Sequence, residues 1–167
     1  LKGPDSPTGY HCLPPDTVTA NDFKYNLQSA SIPIPLKVVI SQATVREFPA
    51  LNGLGVSAAR VDMERGGVFP MHTHPGGTEL LIMVEGEMVA GFVTPTKAYV
   101  NTLKPGDVMV FPQGQLHFQV NTGKGKAVSY GAFSSPNPRL ELLPQNLFGN
   151  NITSDSIALT TFLDADQ

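Results

Sequence analysis

The chain has no tryptophan and a single cysteine, Cys12, among its 167 residues. That cysteine is either a free thiol or one half of a disulfide whose partner lies beyond these residues. No apolar run is long enough to form a membrane-spanning helix, so no membrane partner is expected. A basic excess is also missing. Eleven Lys and Arg stand against fourteen Asp and Glu, for a formal net charge of -3, which argues against a nucleic-acid partner. The small cluster at Lys124 and Lys126 reads as a solvated turn. Glycine-rich phosphate loops are lacking, as is any serine or cysteine nucleophile with a base partner. The first residues, LKGPDSPTGY, carry no apolar core or cleavage signature, as expected of a mature or trimmed form.

Glycine and proline, by contrast, are abundant at 16 and 15 residues. Turn-formers at close intervals between short apolar runs predict an all-β sandwich or barrel. Three regions follow. Residues 1–35 are turn-rich and mostly irregular, with a short helical piece expected around Thr19–Tyr25. Residues 36–135 hold about eight strands in the rhythm of a jelly roll. Residues 136–167 form a long loop and then a helix over SDSIALTTFLDADQ, with Ser154 as its expected N-cap and no stop before Gln167.

Two stretches carry the chemistry, GGVFPMHTHPGGTELLIMVEG and GDVMVFPQGQLHFQVN. On a strand, alternate side chains share a face, so His72 and His74 point to one side. The bend at Pro75-Gly76-Gly77 lets Glu79 return to the same point, and His117 on a later strand completes a cluster. A lone histidine here would be a half-buried core residue. Three of them with a glutamate at this spacing predict a metal site with open positions for substrate or water. Mn(II) and Fe(II) suit these donors, and Zn, Co or Ni would bind as well. Phe69, Phe118 and Met83 are candidates to line a pocket beside the cluster, with plain barrel packing as the alternative. Asn151-Ile-Thr153 is a glycosylation sequon in a polar loop, with Asn151 as the acceptor.

These stretches resemble the two cupin motifs at ten fixed positions: Gly66, His72, His74, Glu79 and Gly86, then Gly106, Pro112, Gly114, His117 and Asn121. More narrowly, KGPDSPTGY, VMVFPQGQLHFQ, FSSPNP and TTFLDADQ resemble plant germin-like proteins, in the branch with auxin-binding-protein-like members. The resemblance implies a cupin jelly-roll β-barrel with a short C-terminal helical extension. It implies Mn(II) held by His72, His74, Glu79 and His117, and secretion to the extracellular cell wall. It further implies a homo-oligomer, a hexamer built as a trimer of dimers. A pair of N-terminal cysteines is usual in such proteins, so the partner of Cys12 is expected upstream of Leu1, and the terminal helix is expected to continue past Gln167.

Oxalate-oxidising germins carry two asparagines near the metal, at the positions aligned with Phe69 and Ala59 here. Neither replacement can donate a hydrogen bond, and a site without its polar partners rejects the substrate that needs them. Ala59 thereby joins the expected pocket lining. The leading expectation is manganese-dependent superoxide dismutase-like activity without oxalate oxidation. The alternatives are a binding protein for a small, auxin-like carboxylate, a structural or defence protein of the cell wall, and a metal-dependent lyase, isomerase or phosphodiesterase.

Overall fold

Short runs of alternating apolar residues, each closed by a glycine or proline turn, can bury one face only by stacking two sheets. The computed structural model, which describes residues 13–28, 31–34 and 36–163, shows that arrangement. Eleven strands are found among these residues: β1 (Ser31–Ile34), β2 (Val38–Ala43), β3 (Ser57–Met63), β4 (Val68–Thr73), β5 (Glu79–Glu85), β6 (Met88–Val93), β7 (Ala98–Leu103), β8 (Val108–Phe111), β9 (His117–Val120), β10 (Ala127–Phe133) and β11 (Glu141–Leu142). They form a six-stranded sheet, β1-β2-β3-β10-β5-β8, and a five-stranded sheet, β11-β4-β9-β6-β7. Every pairing among them is antiparallel. Among the described residues, no helix is long and apolar enough to cross a membrane.

Strand β5 illustrates the logic. Glu79, Leu81 and Met83 turn inward and are buried, while Leu80 and Val84 face outward. Leu81, Met83, Met63, Met88 and Phe111 are the bulk of a core shared by both sheets. The hairpin from β5 to β6 turns at Gly86, where φ is +78° and a Cβ would stand 2.3 Å from the Lys126 carbonyl oxygen. Only glycine satisfies both constraints. The buried Asn121 ties the far ends of β3 and β9 together. Its Nδ2 lies 2.9–3.0 Å from the carbonyls of Met63, Glu64 and Gly125, and its Oδ1 accepts from the Gly123 N–H.

The sequence pattern missed some elements. The sheet starts earlier than residue 36, because β1 pairs with β2 over Ser31–Ile34. The segment after Ser135 contains β11, a two-residue strand too short to leave a periodic signal. It is followed by α1 (Leu143–Phe148) and then α2 (Ser154–Thr161). The cap of α2 is Thr153 and not Ser154: the Thr153 hydroxyl accepts from the Ser156 N–H at 3.2 Å. Nor does α2 continue through Leu163. It ends at Thr161, with Phe162 in the left-handed region at φ 60°. The expected short helical piece is present as a 3-10 turn at Ala20–Phe23. Cys12, with its expected disulfide, and the last residues from 164 onward lie outside the described residues.

Candidate metal centre

The four candidate ligands converge inside the barrel, and all are buried. His72 on β4 stands directly opposite His117 on β9, their rings 4.0 Å apart. His74 follows the last residue of β4, and Glu79 opens β5 from the other sheet. Ligand atoms of all four lie within 4.8 Å of one another. Metal bonds of about 2.0–2.2 Å place donors at most about 4.4 Å apart, so a slight contraction suffices to hold an ion.

Each imidazole is oriented by a backbone carbonyl. His72 Nδ1 is 2.8 Å from Pro70 O, His117 Nδ1 is 2.8 Å from Gln115 O, and His74 Nδ1 meets Arg139 O. A carbonyl can only accept, so the proton sits on Nδ1 in every ring. The Nε2 lone pairs are therefore the free donors toward a cation, the tautomer that metal-binding histidines adopt. Glu79 Oε2 lies 3.1 Å from His74 Nε2 and 3.2 Å from His117 Nε2. Acceptors this close need positive charge between them, a proton when metal is absent or the ion itself. The donor set thus fits a divalent metal of intermediate hardness.

The surroundings set the charge states. Burial above all, together with the nearby His117, pushes the His72 imidazole down to about 3. Burial drives the Glu79 carboxyl up, yet the adjacent His117 and His74 imidazoles outweigh it and hold the group at about 2. Glu79 is thus a carboxylate and His72 a neutral ring at neutral pH, both ready to ligate. Phe111 stacks on His117 with ring centroids 4.4 Å apart, closing the side away from solvent.

A cavity of about 350 Å³ opens beside His72, His74 and Glu79. Of the expected pocket residues, Ala59 and Phe69 line it. Phe69 and His72 are three residues apart, a spacing that ordinarily puts side chains on opposite faces. The β4–β9 register shifts between them, and that irregularity turns both inward. Met83 and Phe118 are placed elsewhere. Met83 is packed in the core farther along β5, and Phe118 alternates away from His117 to cover Gly91 on the outside of β9. Asn151 lies in an exposed bend just before α2.

Several cavity residues escaped the sequence reading. Gln119 follows His117 by two positions and so shares its inward face, a signal that period-two counting could have found. Ser129, Gly131 and Phe133 alternate on the inner face of β10 and all line the cavity. Arg139 left no signal, because only its carbonyl acts. It adopts a left-handed φ of 61°, uncommon for a non-glycine residue.

Comparison with known proteins is consistent with this geometry. Residues 25–167 match the cupin family, described as Cupin. Auxin-binding protein ABP19a of Prunus persica is 49% identical over 170 residues, covering 99% of this chain and 81% of that protein. Germin-like protein subfamily 3 member 3 of Arabidopsis thaliana is 48% identical over 165 residues, covering 97% and 78%. The chain is a germin-like cupin. Among solved structures, oxalate oxidase superposes with a TM-score of 0.90 at 30% identity, over 99% of this chain and 87% of that one. This germin-like cupin therefore has the jelly-roll barrel of its family and, within it, a His72, His74, Glu79 and His117 group that could hold a metal ion.

Proposed function

We propose that this germin-like cupin is a secreted manganese protein of the cell wall with superoxide dismutase-like activity. The observation that carries the reading is the convergence of three Nε2 lone pairs and one carboxylate, each imidazole already oriented by a carbonyl. When bound, Mn(II) supplies a one-electron couple suited to turning two superoxide ions and two protons into dioxygen and hydrogen peroxide. The chain's own residues hold the charge of the site. Glu79 contributes a buried negative charge, the three imidazoles contribute none, and Phe69 and Phe111 keep bulk water from the rings. Similarity to germin-like relatives supports the extracellular location.

Oxalate oxidation is not part of this proposal. The cavity wall beside the ligands is formed by the buried Phe69 and Ala59, which offer oxalate no hydrogen bond. Reconstituting the protein with Mn(II) and measuring superoxide dismutation against metal content tests the assignment. Activity should rise in proportion to bound manganese and disappear in His117→Ala. An inactive protein with a filled site would refute it.

A second reading, binding of a small carboxylate at the metal, is favoured by the cavity itself. The similar oxalate oxidase has been solved with glycolate, and the Prunus relative is named for auxin binding.

We also propose that the chain assembles as a hexamer, a trimer of dimers. Leu80 and Val84 on β5 and Val108 and Val110 on the edge strand β8 form an exposed apolar patch, with Leu80 opposite Val110 in register. Such a patch on an edge strand is a docking surface. Light scattering should give six times the chain mass, falling to a smaller species in Val110→Lys. A monomer in the parent would end the idea.

A further inference from the structure

One buried polar atom in the cavity is left without a partner. Ser129 on β10 is 1% exposed, lines the cavity, and its Oγ makes no hydrogen bond. Buried hydroxyls are ordinarily satisfied, and an exception calls for an explanation. Its neighbours supply one. Two residues along the same face is Gly131, where a Cβ would stand 2.9 Å from Glu79 Oε1. Gly131 pairs with Ala59 on β3, and Ser129 with Val61. Gly131 admits the Glu79 carboxylate and the Phe133 ring edge, which a Cβ would meet at 2.9 and 3.0 Å, and the cavity wall runs from there along β10 to the hydroxyl. Two residues of strand span about 7 Å, close to the length of a para-substituted benzene ring.

The rest of the wall agrees with a ring. Phe69 packs on His72 with centroids 4.2 Å apart, and Phe133 packs on His74 at 4.8 Å, so an aromatic face flanks the metal group on each of the two sheets. Ile40, Val61 and Leu81 add apolar surface, while the buried Gln119 adds a second polar group. Arg46, Glu47 and Arg139 also line the cavity, and the Arg139 guanidinium is paired with Glu141 at 2.7 Å. The Glu47 carboxylate is engaged by the Thr44 N–H and hydroxyl. With a divalent ion held by three neutral rings and one carboxylate, the inner end carries net positive charge. The inner end therefore favours an anion.

We infer that Ser129 is a specificity-determining residue of this cavity: it hydrogen-bonds the distal polar group of a small, ring-bearing carboxylate whose acid end lies at the metal. This rests on the metal-centre and carboxylate readings above and adds to them a second recognition point. A serine hydroxyl both donates and accepts, so the distal group can be a hydroxyl, an amine or a carbonyl. A ring bearing only a methyl there would leave Ser129 Oγ as unsatisfied as before. Sites built to bond a polar group discriminate strongly against analogues that lack it.

The test is calorimetric titration of Mn(II)-loaded protein with 4-hydroxybenzoate and with 4-methylbenzoate, which share size and acid group. The parent should bind the hydroxy acid at least about tenfold more tightly. In Ser129→Ala that preference should fall to within about twofold, with 4-methylbenzoate affinity and manganese content unchanged. Equal affinities in the parent overturn the inference, as does a preference that survives in Ser129→Ala, or a loaded protein that binds neither acid. Manganese content measured on the same samples separates the failures. A protein that takes up no metal overturns the metal centre and this inference together, whereas a loaded protein without discrimination overturns only the role of Ser129.

Discussion

Glu79→Gln should fold like the parent and fail to retain metal. Glu79 carries the only negative charge in the ligand group and is buried. Glutamine keeps the size and geometry of the side chain but removes the charge opposite a dication, where the low dielectric makes charge most valuable. Loss of a mere outer partner of a metal site costs 10–100-fold in affinity. Loss of this ligand's charge should therefore cost on the order of a hundredfold or more. The metal-free fold should suffer little, because the amide N–H of glutamine can donate to the Nε2 lone pairs that Glu79 now faces at 3.1 and 3.2 Å. Thermal melts distinguish the two effects. At a metal concentration a thousand times the dissociation constant, the parent should gain about 4 kcal/mol, or roughly 10 °C for a domain of this size. At the same metal concentration, now about ten times its own dissociation constant or less, the variant should gain no more than about 1.4 kcal/mol, or about 4 °C. Equal metal-induced shifts in both proteins would show that Glu79 is not a ligand.

The second large effect is acid sensitivity of the metal-stripped protein. His72 has its folded-state pKa lowered from 6.5 to about 3, first by burial and then by His117. The unfolded chain therefore takes up a proton that the folded chain refuses. Stability is full above pH 6.5 and falls as pH drops toward 3, by up to about 1.4 kcal/mol per unit. Glu79 has the same sign. Its carboxyl is lowered from 4.5 to about 2, so its contribution is present above 4.5 and is lost as pH falls through 2. By pH 4.5 the His72 contribution alone amounts to about 3 kcal/mol, a large part of the 5–15 kcal/mol typical of a domain. The urea midpoint of stripped protein should drop steeply between pH 7.5 and 4.5, and less steeply in His72→Asn. A midpoint that does not move over this range would contradict it. The loaded protein should resist longer, until protons displace the metal.

The agreement between pattern and structure is uneven for physical reasons. The β region, the turns and the four candidate ligands were legible because a strand has a period of two and a turn needs glycine or proline. His72, His74, Glu79 and His117 sit at spacings that only an inward-facing cluster explains. Phe69 lies in the cavity wall beside His72, although strict alternation argues against it; the register shift in β4 that reconciles the two has no signature in composition. Met83 and Phe118 show the opposite case. Both neighbour the motif in sequence, yet Met83 fills the core and alternation carries Phe118 to the outer face.

Short-range order, then, is written locally: an all-β barrel, its turns, and a candidate ligand set carried by two motifs each no longer than a hairpin. Contacts between distant strands arise only once the two sheets pack. The small pair Ala59 and Gly131 meets through the β3–β10 register, and Ser129 shares a cavity with Glu79 because β10 lies between β3 and β5. The carbonyl of Arg139 reaches His74 across 65 residues of chain. Backbone groups are alike at every residue, so no sequence pattern marks which carbonyl will orient a ligand. That choice belongs to the packing of the two sheets.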